Sequence, residues 1–212
     1  AVRSRGLGDV YKRQVLWFAT SHSQVSFGIL FFILGLICLF EMWMLRKGKS
    51  KIIPFIYVLT PFFIVQLFGF TGYNYPLKEF DSSPVLILFV LTWVFDSFAY
   101  IIGSKFGKNR IMPKTSPKKS WEGFFGGMAF TFLSVYFLNV FFDSFSMNFL
   151  ILLAIIVPFT ATAGDLIESH YKREAGVKDS GNLIPGHGGF LDRMDALMIS
   201  IPVLYLLINI FK

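Results

Sequence analysis

Six stretches of about 20 mostly apolar residues, separated by short polar connections, leave this chain one viable environment. They run approximately Val25–Leu45, Ile52–Phe70, Pro84–Ile102, Phe124–Phe142, Phe145–Ala163 and Met194–Phe211. A bilayer core about 30 Å thick takes roughly 20 residues as helix. Within it every backbone polar group must be satisfied internally, so the expected fold class is all-α, a polytopic transmembrane helical bundle of about six spans. Pro54, Pro61 and Pro158 fall inside these stretches, where neighbouring helices can satisfy the freed carbonyls. Composition agrees, with 54% hydrophobic and 16% charged residues. A soluble chain has a charged share of about 25%. Disorder, coiled coil and a disulfide-stapled scaffold are excluded, and the single Cys38 forms no internal disulfide.

The formal charge of +7 could mark a nucleic-acid or a membrane-surface partner, so its location decides. Residues 1–14, AVRSRGLGDVYKRQ, are polar and stop where the apolar run from Val15 begins. They resemble a translated sequencing-adapter segment, and no Ala-x-Ala-like cleavage site follows them, so they are expected to be non-native. Setting them aside leaves +4 on the remainder. Of the 16 basic residues that remain, 14 lie in the first, third and fifth connections. By the positive-inside rule those connections are cytoplasmic. A native chain starting in the cytoplasm would then carry an odd number of further spans before Val15. No nucleic-acid partner is needed to explain the charge, and no internal repeat is visible.

The fifth connection carries the densest chemistry: nine charged residues among the thirty from Gly164 to Arg193. Asp165, Glu168 and Ser169 share a face if the preceding span continues as helix. Gly186, Gly188 and Gly189 around His187 let the backbone approach a ligand and present N–H groups to an anion. Asp192 and Asp195 lead into the last span, where Asp195 has to be desolvated. Asp165 and Asp192 therefore sit at membrane depth on two helix ends, interspersed with Lys172, Arg173, Lys178 and Arg193. Oxygen ligands without cysteine suit Mg²⁺, and the basic residues suit phosphate. Nucleotidyl or phosphoryl transfer fits both, against the plainer reading of a solvated mixed-charge loop.

A second polar cluster precedes it. Asp96 lies inside the third span, and an intramembrane carboxylate marks either a functional site or a structural pair. In residues 114–123, Ser116-Pro117 is expected to set a turn. Lys118 and Lys119 there offer charge for phosphate, although cytoplasmic loops are ordinarily lysine-rich. Other matches fail. Gly103–Asn109 is one residue short of a phosphate-binding P-loop and ends in Asn. His22 and His170 read as interfacial or surface residues, and Glu41 reads as snorkelling or pairing within the bundle.

Ser169 to Asp195 closely resembles the signature of the phosphatidate cytidylyltransferases, also called CDP-diacylglycerol synthases. Ser169, Lys172-Arg173, Lys178-Asp179, His187-Gly188-Gly189 and Asp192-Arg193-Met194-Asp195 match its fixed positions, with Tyr171 where an aliphatic residue or Phe is usual. Asp96-Ser97 through Gly103, Phe106-Gly107-Lys108 and Ser116–Gly127 also resemble the family. The resemblance covers roughly residues 84–212, the first two spans matching only in hydrophobicity. It divides the chain into residues 15–83, N-terminal transmembrane helices, and residues 84–212, a catalytic transmembrane domain with cytoplasmic loops.

The resemblance implies a reaction of CTP with phosphatidic acid giving CDP-diacylglycerol and pyrophosphate, at the cytoplasmic face of the inner membrane. It also implies a homodimer, a requirement for Mg²⁺, and K⁺ as the second ion. Asp165 and Asp192 are the expected metal ligands, with Asp179 and Asp195 as additional or outer ligands. Lys172, Arg173, Lys178 and Arg193 are expected to stabilise phosphates. Asp96, Ser116, Lys118, Lys119, Ser169, His187, Gly188 and Gly189 are expected to bind substrate. The alternatives are a related CTP-dependent enzyme, making a CDP-activated ether lipid or phosphorylating a polyprenol, and an ion-coupled transporter.

Overall fold

The computed structural model describes residues 14–71, 80–113, 115–142, 144–181 and 188–211. A helical stretch over residues 14–22, α1, leads into α2 (Gln24–Leu45). Ser23 starts α2 with a reciprocal cap: its hydroxyl accepts from the Ser26 N–H, and Ser26 Oγ accepts from the Ser23 N–H, both at 3.1 Å. There follow α3 (Ile52–Thr71), α4 (Ser83–Phe106), β1 (Arg110–Met112), β2 (Ser116–Ser120), α5 (Trp121–Phe141), α6 (Met147–Glu174) and α7 (Leu191–Ile210). Among the described residues six helices, α2 to α7, are long and apolar enough to cross a membrane, in the number and order expected. The outer faces are apolar as well. Phe132, Leu133, Phe137 and Phe141 of α5 are exposed, as lipid-facing side chains are. The protein is an all-α, membrane-integral bundle, with one small hairpin among the described residues.

Two expected boundaries shift in ways that matter for the site. α6 runs on to Glu174 instead of ending at Ala163. Its extension is held by i,i+4 pairs, Ser169 to Asp165 and Lys172 to Glu168, and by Lys172 and Arg173 at the negative end of the helix dipole. The second shift corrects the expected turn at Ser116-Pro117. Those residues open β2, which pairs antiparallel with β1 in the register Arg110 to Ser120 and Met112 to Ser116. A two-stranded ribbon has no inner strand, so Pro117, lacking an N–H, is accommodated. Ser120 closes β2 and caps α5, accepting from the Gly123 N–H at 3.2 Å.

Small residues let α4 and α5 approach closely. A Cβ on Gly123 would come within 2.6 Å of the Ala99 carbonyl oxygen, and one on Gly127 within 2.8 Å of that of Phe95. α6 meets α7 through a hydroxyl pair, Thr160 Oγ1 and Ser200 Oγ, 2.7 Å apart. Gln66 Nε2 of α3 donates to the Gly28 carbonyl of α2 at 3.1 Å. The main core contains Phe31, Leu88, Phe89, Leu150, Leu153 and Leu204, all fully buried or nearly so. A smaller cluster of Phe95, Phe124, Ala161 and Ala196 joins α4, α5, α6 and α7.

The first, third and fifth connections meet at one end of the bundle. Arg46 forms an ion pair with Glu174 and lies 5.3 Å from the centre of the Tyr171 ring, and Lys49 Nζ donates to the Glu174 carbonyl at 2.7 Å. Lys119 of β2 forms an ion pair with Asp165 of α6. Residues 1–13, Lys78, Glu79, Lys114, Asp143, His187 and Lys212 lie outside the described residues.

Candidate active site

α6 and α7 cross at a point where only glycine fits: a Cβ on Gly164 would overlap the Asp195 carbonyl oxygen. Tyr57 of α3 supports the crossing, donating its hydroxyl hydrogen to the Gly164 carbonyl at 2.9 Å. The result sets Asp165 and Glu168 of α6 against Asp195 of α7, with one carboxylate oxygen from each within 4.8 Å of the others. Two like unit charges at that spacing repel by about 3.5 kcal/mol at an effective dielectric of 20. Cations have to offset this. Lys119 forms an ion pair with Asp165 Oδ2, and Ser169 Oγ donates to Asp165 Oδ1 at 3.0 Å. Glu168 is wholly buried. Its Oε2 is ion-paired with Lys172, and its Oε1 has no hydrogen-bond partner among the described residues. A set of oxygen donors with one buried oxygen unsatisfied suits a hard divalent cation.

Asp192, the other expected metal ligand, is held by four hydrogen bonds among the described residues. Lys172 Nζ donates to its Oδ1 at 2.6 Å. Its Oδ2 accepts from the Ser180 N–H at 2.8 Å, the Ser180 hydroxyl at 3.0 Å and the Gly189 N–H at 2.8 Å. Beside it stands Glu41, reaching across from α2. Glu41 Oε1 accepts from the Phe190 N–H at 3.0 Å and its Oε2 from the Leu191 N–H at 2.8 Å, while the Ser180 hydroxyl, 2.9 Å from that Oε2, shares its single hydrogen between Glu41 and Asp192. A Cβ on Gly189 would overlap Ser180 Oγ and Glu41 Oε2, and Gly188 adopts a left-handed φ of 79°. Both glycines of the expected turn are therefore required by the backbone that the two carboxylates grip.

Asp165, Asp192, Asp195 and Lys119 border a cleft of about 540 Å³. Asp96, Asp165, Asp192 and Asp195 supply its acidic wall, and Arg110, Lys118 and Lys119 of the hairpin face them. Phe95, Ala99, Tyr100, Phe124 and Ala161 form the apolar part. One cavity thus offers cation-binding oxygens, anion-binding side chains and a greasy surface. That combination fits an amphipathic phosphate compound meeting a polyanion.

Of the residues expected from sequence, Asp96, Lys118, Lys119, Asp165, Asp192 and Asp195 converge on this cleft. Ser169, Lys172 and Gly189 stand behind it and hold its carboxylates. Gly188 shapes the adjoining turn. Arg173 is exposed and donates to the Thr115 and Val177 carbonyls at 3.4 and 3.0 Å. Lys178, Asp179 and Arg193 are exposed, and they and Ser116 stand off the cleft lining, while His187 is outside the described residues. Sequence reasoning left Glu168 out of the site, although its i+3 spacing from Asp165 was a usable signal. It also missed Arg110, Ser180 and Tyr57, and gave Glu41 only snorkelling or pairing within the bundle.

The model of the cytidylyltransferase family matches residues 10–211, so the similarity takes in α2 and α3 as well as the expected residues 84–212. A phosphatidate cytidylyltransferase of Thermotoga maritima is 41% identical over 160 residues, 70% of this chain and 58% of its own length. The protein of that name from Staphylococcus haemolyticus is 41% identical over 138 residues, 64% of this chain and 53% of its own. That from Staphylococcus aureus strain COL is 44% identical over 136 residues, 63% and 52% respectively. The chain spans little more than half the length of the curated relatives it matches.

Proposed function

The chain belongs to the cytidylyltransferase family, and on that premise we propose that it transfers the CMP moiety of CTP to phosphatidic acid. The products are CDP-diacylglycerol and pyrophosphate, for phospholipid synthesis. The observation that carries this reading is the division of the cleft, with carboxylates on α6 and α7, basic side chains on the hairpin and an apolar wall between α4, α5 and α6. An oxygen of the lipid phosphate forms a bond to the α-phosphorus of CTP. The bond from that phosphorus to the α,β-bridging oxygen breaks, and its electron pair leaves with pyrophosphate.

The nucleophile is already anionic, so no general base is required. The barrier is instead electrostatic: two unit charges 4 Å apart repel by about 4 kcal/mol at a dielectric of 20. Arg110, Lys118 and Lys119 are the side chains proposed to offset that repulsion on the phosphate side. Asp165, Glu168 and Asp195, with Asp192 adjacent, are the residues proposed to hold Mg²⁺, which when bound supplies charge neutralisation for the triphosphate and leaving group. The apolar wall holds the acyl portion of the lipid and excludes water from the phosphates. The proposed location is the cytoplasmic face of the plasma membrane, since the basic first, third and fifth connections lie together. A homodimer belongs to the same proposal, and cross-linking in native membranes tests it.

The decisive experiment supplies membranes containing the protein with phosphatidic acid and CTP labelled at either the α- or the γ-phosphorus. Lipid-soluble label is expected from the α-position only, with γ-label recovered in pyrophosphate. Label reaching lipid from the γ-position would replace this reading with a kinase. Label reaching lipid from neither position would remove the enzymatic reading altogether.

A further inference from the structure

We infer that Glu41 is a positioning residue for the Asp192 carboxylate, acting from a transmembrane helix that makes no part of the cleft lining. The inference rests on the reading of the cleft given above and adds to it a member on α2.

Three observations support it. Glu41 is 1% exposed, and its three described partners are neutral: the N–H groups of Phe190 and Leu191 and the hydroxyl of Ser180. Burying a carboxylate is costly unless its lone pairs are occupied, so the arrangement has to be specific. Next, α7 lacks a cap of its own, because Phe190 at its start offers no side-chain acceptor. A Ser, Asp or Asn at that position would satisfy the orphan N–H groups locally. The chain instead draws the acceptor from Glu41, 149 positions before Phe190 and 150 before Leu191. The third observation is that two glycines make room for this carboxylate. A Cβ on Gly181 would stand 2.7 Å from Glu41 Oε1, and one on Gly189 would overlap Oε2.

The link to Asp192 runs through Ser180. Its hydroxyl lies 2.9 Å from Glu41 Oε2 and 3.0 Å from Asp192 Oδ2, while its N–H donates to Asp192. Glu41 therefore grips both sides of the Asp192 carboxylate: Ser180 in the connection, and the first amides of the helix that carries Asp192. Capping alone would need only the amides. The shared hydroxyl ties the cap to the orientation of the carboxylate.

Glu41→Gln preserves the shape but replaces one accepting oxygen by an NH2 group, so that at least one of the Phe190 and Leu191 N–H groups faces a donor. The purified protein in detergent is compared with the wild type by hydrogen–deuterium exchange, by Mn²⁺ titration and by turnover. Exchange over residues 188–192 is expected to rise at least tenfold, with protection of α4 and α5 unchanged. Mn²⁺ affinity and kcat are expected to fall by about 10- to 100-fold, with the number of Mn²⁺ bound unchanged. A purely structural role predicts reduced stoichiometry at unchanged affinity, together with protection lost across the bundle, and that result overturns the inference. So does unaltered exchange at residues 188–192. Should Glu41→Gln fail to accumulate, Ser180→Ala decides, since it removes the shared hydroxyl and leaves the amide contacts. The same local changes are then expected at smaller size, and their absence overturns the inference. Wild-type protein without turnover, in which Glu41→Gln still loosens residues 188–192, would remove the enzymatic reading and leave the positioning role in place.

Discussion

Lys172 Nζ donates to Asp192 Oδ1 at 2.6 Å while forming an ion pair with Glu168 on its own helix. One largely buried ammonium thus joins α6 to α7 by pairing with a carboxylate on each. Removing one member of a buried charge network leaves the rest uncompensated, at a cost of about 3–5 kcal/mol. Lys172→Met is expected to destabilise the bundle by that amount in denaturant titrations in detergent. Lys172→Met/Glu168→Leu is expected to recover at least half of the loss. Equal stability of the single variant and wild type would mean that the pair carries no structural charge compensation.

Gly189→Ala is expected to abolish turnover, because its Cβ would overlap Ser180 Oγ and Glu41 Oε2. Overpacking of this kind costs about 1–3 kcal/mol. Gly48→Ala is the control. Its φ is 78° with nothing among the described residues within 4 Å of a Cβ, so backbone strain of about 1–2 kcal/mol is the expected effect. Turnover of Gly48→Ala within about twofold of wild type, beside an inactive Gly189→Ala, separates crowding from strain.

Lys119 is a hairpin side chain that already meets a carboxylate, that of Asp165. A hydrogen bond to a charged group contributes about 1.5–3 kcal/mol, roughly 10- to 150-fold. Lys119→Ala is expected to lower kcat/KM for CTP within that range in steady-state assays at fixed lipid. A variant with unchanged kcat/KM would place the triphosphate away from the hairpin.

The Thr160–Ser200 hydroxyl pair, 2.7 Å apart, lies outside the cleft lining and joins the same two helices. Interhelical hydrogen bonds within membranes contribute about 0.6 kcal/mol on average. A double-mutant cycle with Thr160→Val and Ser200→Ala is expected to return a coupling near that value, with turnover unchanged. A coupling above about 2 kcal/mol would make this contact a principal fastener of the site.

The spans were legible because a run of about 20 apolar residues has one stable solution in lipid. Asp165, Asp192 and Asp195 were legible for a related reason, since charge stands out in a chain that otherwise avoids it. Glu41 and Tyr57 were equally visible as letters, but their tasks were not. Their partners lie 149 and 107 positions away, and helices apolar on every side give no periodicity to say which face meets which neighbour. Ser180 sits among ordinary loop residues and carries no signal of its own. Ser116-Pro117 was misread because a Ser-Pro pair favours a turn locally, whereas β1 supplies a partner that the local pattern does not encode.

Glu41 belongs to a helix whose height is set by lipid, and its three bonds run to a loop and helix start that carry Asp192. A slip of α2 by one helical turn, about 5.4 Å, would break all three at once. Membrane thickness is therefore expected to bear on the aim of a cleft carboxylate. Turnover measured in bilayers of graded acyl length would register that connection as an optimum, sharper in the wild type than in Glu41→Gln.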